Sequence, residues 1–181
     1  MKIEAPVLAA VIAGSATILG GLLINFYIRR NEDKTKRLQI KLEFLNKQIE
    51  ELYGPLYSLI QLIINYWDVQ QKIISREGLS SESTEQIIKF FRERYFFPLH
   101  NQIRKLIKNK FNLIEGIELP KSFWIYLQHS TLETTQITIL KELNIDTQHL
   151  KEIPWPKEFE KDIKQTLDLL MLNYNKLLQE I

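Results

Sequence analysis

Three histidines, His100, His129 and His149, bear first on chemistry in this chain. His129 stands four residues before Glu133, and His149 three before Glu152. On a helix either spacing places both side chains on one face, and imidazole with carboxylate is a donor set of zinc sites. Each pair offers two ligands where a working site uses three or four. A zinc-protease helix would add a second histidine, which neither pair has. The reading is therefore no metal-binding residue, the pairs being ordinary exposed or capping groups. The 181 residues include no cysteine, which removes disulfide scaffolds, thiolate-held metals and thiol nucleophiles. Neither a glycine-rich phosphate loop nor a nucleophile elbow occurs, and Glu50-Glu51 reads as solvated charge on a helix face. The expectation is a non-enzyme with no catalytic residue, no cofactor and no evident small-molecule substrate.

The elements that would have to position any site begin with an anchor. Ala5 to Ile28 is a run of 24 residues without charge, closed by Arg29-Arg30. About 20 apolar residues cross a bilayer core of about 30 Å, so the run is long enough to span. A cleaved signal peptide would end its apolar stretch after about 7–15 residues. Here that character continues through Ile18-Leu19 and Leu22-Leu23-Ile24 to Phe26-Tyr27-Ile28. Between Arg29 and Lys41 there are six basic residues against Glu32 and Asp33, which by the positive-inside bias places the C-terminal domain in the cytoplasm. The expected location is a cell inner membrane, crossed once. Arg29, Arg30, Lys34, Lys36 and Arg37 are positioned to meet anionic lipid.

After the anchor the periodicity is helical. Leu38, Leu42, Leu45, Ile49, Leu52, Leu56, Leu59 and Ile63 are spaced by alternating fours and threes, the rhythm of a helix-packing seam. Tyr53, Tyr57 and Trp67 widen that face, which favours a stripe within a bundle over a self-associating coiled coil. Gly54-Pro55 predicts a kink, because proline lacks a backbone donor and clashes with the preceding turn, yet the heptad phase is the same on both sides. Ser83-Thr84-Glu85-Gln86 reads as a capping box opening a helix towards Phe111, which Pro98 must bend or split. Pro120 suits the first turn of a helix reaching about Leu143. Beyond Ile153-Pro154-Trp155-Pro156, Phe159, Ile163, Leu167, Leu170, Tyr174 and Leu177 recur at helical spacing. The fold class is all-α: an N-terminal transmembrane helix followed by a bundle of about four helices. Its divisions are residues 1–30, a transmembrane anchor; 31–53, a juxtamembrane amphipathic helix; and 54–181, the bundle domain. Phe90, Phe91, Tyr95, Phe96 and Phe97 read as core filling.

Charge is unevenly distributed. Arg92 to Lys110 carries six basic residues and one acid, whereas Glu115 to Ile181 holds eleven acids and seven lysines. Arg104, Lys105, Lys108 and Lys110 form a cationic helix face. A solvated surface ranks first for it, lipid headgroup contact second, and nucleic acid third.

The anchor holds the sharpest hint of function. Ala9, Ala13, Ala16 and Gly20 lie on one helical stripe, beside Ala10, Gly14, Thr17 and Gly21. Small residues at this spacing let helices approach closely in lipid. The partners implied are the lipid bilayer and either a second copy or another membrane protein. The expected function is a non-enzymatic membrane-anchored interaction or scaffold protein, assembled through this face and the bundle. One alternative is a membrane-active effector whose assembled spans perturb the bilayer. Another is an enzyme with a site concealed in the bundle, which would require convergent buried polar residues. Through Glu51-Leu52-Tyr53-Gly54-Pro55-Leu56-Tyr57 the chain resembles uncharacterised bacterial proteins that pair one N-terminal span with a cytoplasmic helical domain. The resemblance covers about twenty residues and the general layout, and implies a bacterial inner-membrane location.

Overall fold

The computed structural model of the chain describes residues 5–114, 118–143 and 154–180, with the side chains of 5–19, 23, 137, 140 and 141 outside that description. The described residues are predominantly helical, with no strand among them. The helices are α1 (Ala5–Gln48), α2 (Gly54–Ile74), α3 (Ser81–Phe91), α4 (Phe97–Asn109), α5 (Lys121–Leu143) and α6 (Lys157–Leu178). Two units are distinguished, residues 1–43 with 176–181 and residues 44–175.

The first unit consists mainly of α1. Its Leu22, Ile24, Phe26, Tyr27 and Ile28 are exposed, and an added Cβ at Gly20 or Gly21 would meet nothing within 4 Å. Among the described residues no helix is long and apolar enough to cross a membrane. Most side chains of the run expected to span, including Ala9, Ala10, Ala13, Gly14 and Ala16, lie outside the described residues.

The second unit is the expected helical bundle. One apolar cluster joins Leu52, Leu56, Ile60 and Ile63 to Phe91, Phe96, Leu99, Ile103 and Ile107, with Phe123 and Tyr126 from α5 and Phe159, Ile163 and Leu170 from α6. Burying each of the aliphatic side chains contributes about 1.5–3 kcal/mol. Of the packing seam, Leu52, Leu56 and Ile63 are in this core and Leu45, Ile49 and Leu59 pack against it. Phe91 and Phe96 are buried, but Phe90 is 52% exposed and does not fill the core as expected, and Trp67, expected to widen the seam face, is also 52% exposed. Gln48 is also fully buried and donates from Nε2 to the Leu113 carbonyl at 2.8 Å. This hydrogen bond ties the end of α1 to the 3-10 turn Phe111–Leu113.

Both internal prolines are accommodated by the same device. The turns Ile49–Tyr53 and Arg92–Phe96 are π-helical, and each stands directly before a residue followed by proline, Gly54-Pro55 and Phe97-Pro98. The Gly54 N–H donates to the Ile49 carbonyl and the Phe97 N–H to the Arg92 carbonyl, each five residues back. A π turn widens the backbone, which relieves the clash between the proline ring and the carbonyl four residues earlier. The helix therefore passes through both prolines without a break. The cap of α3 lies three residues earlier than the sequence suggests: Ser80, not Ser83, is the N-cap, its Oγ accepting from the Ser83 N–H at 3.1 Å. Pro120 precedes α5 as expected, its carbonyl accepting from the Phe123 N–H at 3.0 Å.

The first π turn makes a testable demand on Gly54. A Cβ there would lie 2.7 Å from the Ile49 oxygen, the atom that accepts the Gly54 N–H. Gly54→Ala is expected to lower unfolding stability by about 1–3 kcal/mol, the usual cost of overpacking. In an ordinary helix interior the same change stabilises by about 0.5–1 kcal/mol, so denaturant titration decides by sign alone.

Candidate functional site

The strongest polar constellation of the bundle lies between α4 and α5. Phe96, Leu99, Ile103 and Ile107 form the buried stripe of α4, and His100 sits within it. On α5 the inward face carries Phe123, Tyr126, His129 and Ser130, all buried, followed by the partly buried Glu133. Helical spacing thus presents one histidine from α4 and Tyr126, His129 and Glu133 from α5 to a common point.

The contacts converge on Glu133. His100 Nε2 lies 3.2 Å from Glu133 Oε2, and His129 Nε2 lies 3.6 Å from the same oxygen. Arg92 Nε, from the second π turn, stands 3.9 Å from Glu133 Oε1. The other ring nitrogen of His100, Nδ1, is 2.8 Å from the Tyr126 hydroxyl. Trp155 meets His129 edge-on at 5.8 Å between ring centroids and Tyr126 at 6.0 Å. Beneath, the Tyr126 ring stacks on Phe159 at 4.2 Å and 17°. Arg104 fastens the two helices, its Nη1 donating at 2.9 Å to the Ser130 carbonyl and at 2.9 Å to Thr134 Oγ1.

Burial and charge set the protonation of these groups. Burial pushes the Tyr126 hydroxyl well above its ordinary range, assisted by Glu133 and opposed by Arg104. Tyr126 therefore keeps its proton and can donate it to His100 Nδ1, while His100 Nε2–H donates to Glu133. Burial would raise the Glu133 carboxyl, but the hydrogen bond and charge of His100, then His129 and Arg92, outweigh it and hold the group below its ordinary value. Burial lowers His129 from its ordinary value, with His100 acting in the same direction and Glu133 and the Pro154 carbonyl opposing. His129 Nδ1 is buried without a partner of hydrogen-bonding geometry.

Both shifts act in one direction on stability. A depressed carboxylate contributes stability above its unfolded value of 4.5, and this is lost as pH falls through the lower folded value. A depressed histidine takes up its proton in the unfolded chain first, so stability is also lost as pH falls below 6.5. Thermal unfolding in the presence of a chelator is expected to show a midpoint declining from about pH 6.5 downwards, with the onset of the decline moved to lower pH in His129→Gln. An unchanged profile in that variant would contradict the assignment.

The i,i+4 pair His129 and Glu133 is thus brought together with a third ligand-type residue that local spacing could not supply. His149 and Glu152 lie outside the described residues. Among the described residues, His100, His129 and Glu133 are the group whose ligand atoms all fall within 4.8 Å of one another, with both histidines buried. The signal that could have found His100 is its place in the apolar stripe of α4, where a solvated polar residue would not sit. The cationic face of α4 is partly consumed by the fold: Arg104 is engaged with α5, and Lys110 Nζ is 2.6 Å from Glu51 Oε2. Lys105 and Lys108 remain exposed, as do Arg29, Arg30, Lys34, Lys36 and Arg37.

Comparison with known proteins gives no match to a family model, to a curated protein or to a solved structure.

Proposed function

We propose that the chain is a membrane-tethered interaction protein. In this reading the Ala5–Ile28 segment crosses a bacterial inner membrane once, the bundle lies on the cytoplasmic side, and the protein itself catalyses no reaction. The observation that carries it is the exposure of Leu22 (62%), Ile24 (63%), Phe26 (67%), Tyr27 (66%) and Ile28 (49%) at the end of an uncharged run. Successive helical residues turn by about 100°, so these five spread over about two thirds of the circumference. A partner on one side would cover some of them, whereas lipid covers all. Arg29, Arg30, Lys34, Lys36 and Arg37 then stand at the level of the anionic headgroups, worth about 1 kcal/mol for each that reaches the surface.

Association is assigned to the small-residue face, Ala9, Ala13, Ala16 and Gly20 with Ala10, Gly14 and Gly21, against a second copy or another membrane protein. Open space around Gly20 and Gly21 supports this. Crosslinking in membranes tests it. Defined oligomers are expected from the full-length chain and a much lower yield from Gly14→Leu with Gly20→Leu, and an equal yield would count against association through this face.

A second reading, an enzyme with a site concealed in the bundle, draws on one observation. The buried His100, His129 and Tyr126, converging with the partly buried Glu133, are polar residues of the kind such a site requires.

A further inference from the structure

We infer that His100, His129 and Glu133 bind one divalent transition-metal ion of the zinc or iron(II) class. The inference stands on the bundle alone and does not rest on the membrane reading. Zinc–nitrogen and zinc–oxygen bonds of about 2.0–2.2 Å in a tetrahedral site imply distances between ligand atoms of about 3.3–3.6 Å. The two observed distances from the histidine Nε2 atoms to Glu133 Oε2 are 3.6 Å, at this spacing, and 3.2 Å, just under it. All three ligand atoms lie within 4.8 Å of one another, so small side-chain adjustments suffice to close a coordination sphere.

The hydrogen-bond inventory points the same way. A neutral imidazole carries one ring proton. If His129 holds it at Nε2, towards Glu133, the buried Nδ1 electron pair has no donor. If Nδ1 holds it, on the side favoured by the Pro154 carbonyl, the Nε2 electron pair faces a carboxylate oxygen. Either tautomer leaves one electron pair opposed or unmatched, and a cation at Nε2 resolves the second arrangement. His100 needs only a reversal of its outer hydrogen bond, with Nδ1–H donating to the Tyr126 oxygen as metal-bound histidines commonly donate to an outer partner.

The donor set selects the ion. Two imidazoles and a carboxylate, with no sulfur, suit zinc or iron(II) and disfavour copper(I). Glu133 is the most accessible of the three, its side chain 22% exposed, which gives the ion an approach from that side. Three protein ligands leave a coordination position for water.

The test uses tag-free full-length protein in mild detergent, stripped with chelator and then titrated with zinc and, separately, cobalt(II). One equivalent of metal by elemental analysis is expected, together with a cobalt(II) visible spectrum of nitrogen and oxygen ligation and a raised thermal midpoint. Glu133→Gln and His129→Gln should each abolish stoichiometric binding. Tyr126→Phe keeps every ligand but removes the partner of His100, and should weaken binding about 10–100-fold. Failure of the wild-type chain to take up one equivalent overturns the inference, as does uptake that survives Glu133→Gln or is lost in His149→Gln instead. Should the ligand variants not fold, the cobalt(II) spectrum of the wild-type chain decides: bands of a bare hydrated ion overturn the assignment.

Discussion

Tyr126→Ala is expected to lower unfolding stability by about 3–5 kcal/mol, the range for removing a large buried aromatic side chain. Tyr126 is fully buried, stacks on Phe159 at 4.2 Å and bonds His100 through its hydroxyl. Alanine leaves a cavity beside the Phe159 ring and an unpaired nitrogen on His100 at once. Tyr126→Phe separates the two losses, because it keeps the ring and removes only the hydroxyl. Its expected cost is about 1–3 kcal/mol, that of a buried polar group left without its partner. Urea titrations of the full-length chain with chelator present give both values from the shift in midpoint at constant slope. A cost below about 1 kcal/mol for the alanine variant would mean that the α4–α5–α6 core is not packed as described.

Ile18→Lys combined with Leu19→Lys is expected to move the full-length chain from the membrane fraction to the soluble fraction. A lysine near the centre of a spanning helix costs about 2.5–3.5 kcal/mol on insertion, so the pair opposes insertion by about 5–7 kcal/mol. That is about several thousand-fold or more in the partition. The same two lysines introduced at the exposed positions Gln39 and Ile40, beyond the uncharged run, should leave partition unchanged. Retention of the Ile18 and Leu19 variant in alkali-washed membranes would remove the span from the account.

Much of the bundle was legible because helices announce themselves by apolar spacing. The last helix could be placed from Phe159, Ile163 and Leu170, which are the α6 residues in the core. Pro120 marked the start of α5 because a missing N–H costs nothing in a first turn. The prolines at 55 and 98 were legible as disturbances but not in their outcome. A π turn depends on whether surrounding packing holds the chain through the proline, and tertiary contacts decide that. The cap of α3 was misplaced for a related reason: Ser80 and Ser83 are both competent N-caps, and backbone extension at Ser80, with ψ of 159°, selects between them.

The polar cluster was half legible. His129 and Glu133 share a helix face by spacing alone, but the third member comes from α4, 29 residues before His129 in the chain. No local pattern joins them; only the packing of two buried stripes against each other does. Arg104 shows the converse, since a basic residue in a cationic run reads as solvated and instead bridges two helices.

The most direct test of the tether is to fractionate cells holding the chain, extract it with and without mild detergent, and read its native mass. A chain that needs detergent for extraction and runs as a defined assembly larger than one 21.5 kDa protomer is the predicted result. A chain recovered without detergent as a 21.5 kDa monomer would contradict both the tether and the association assigned to it.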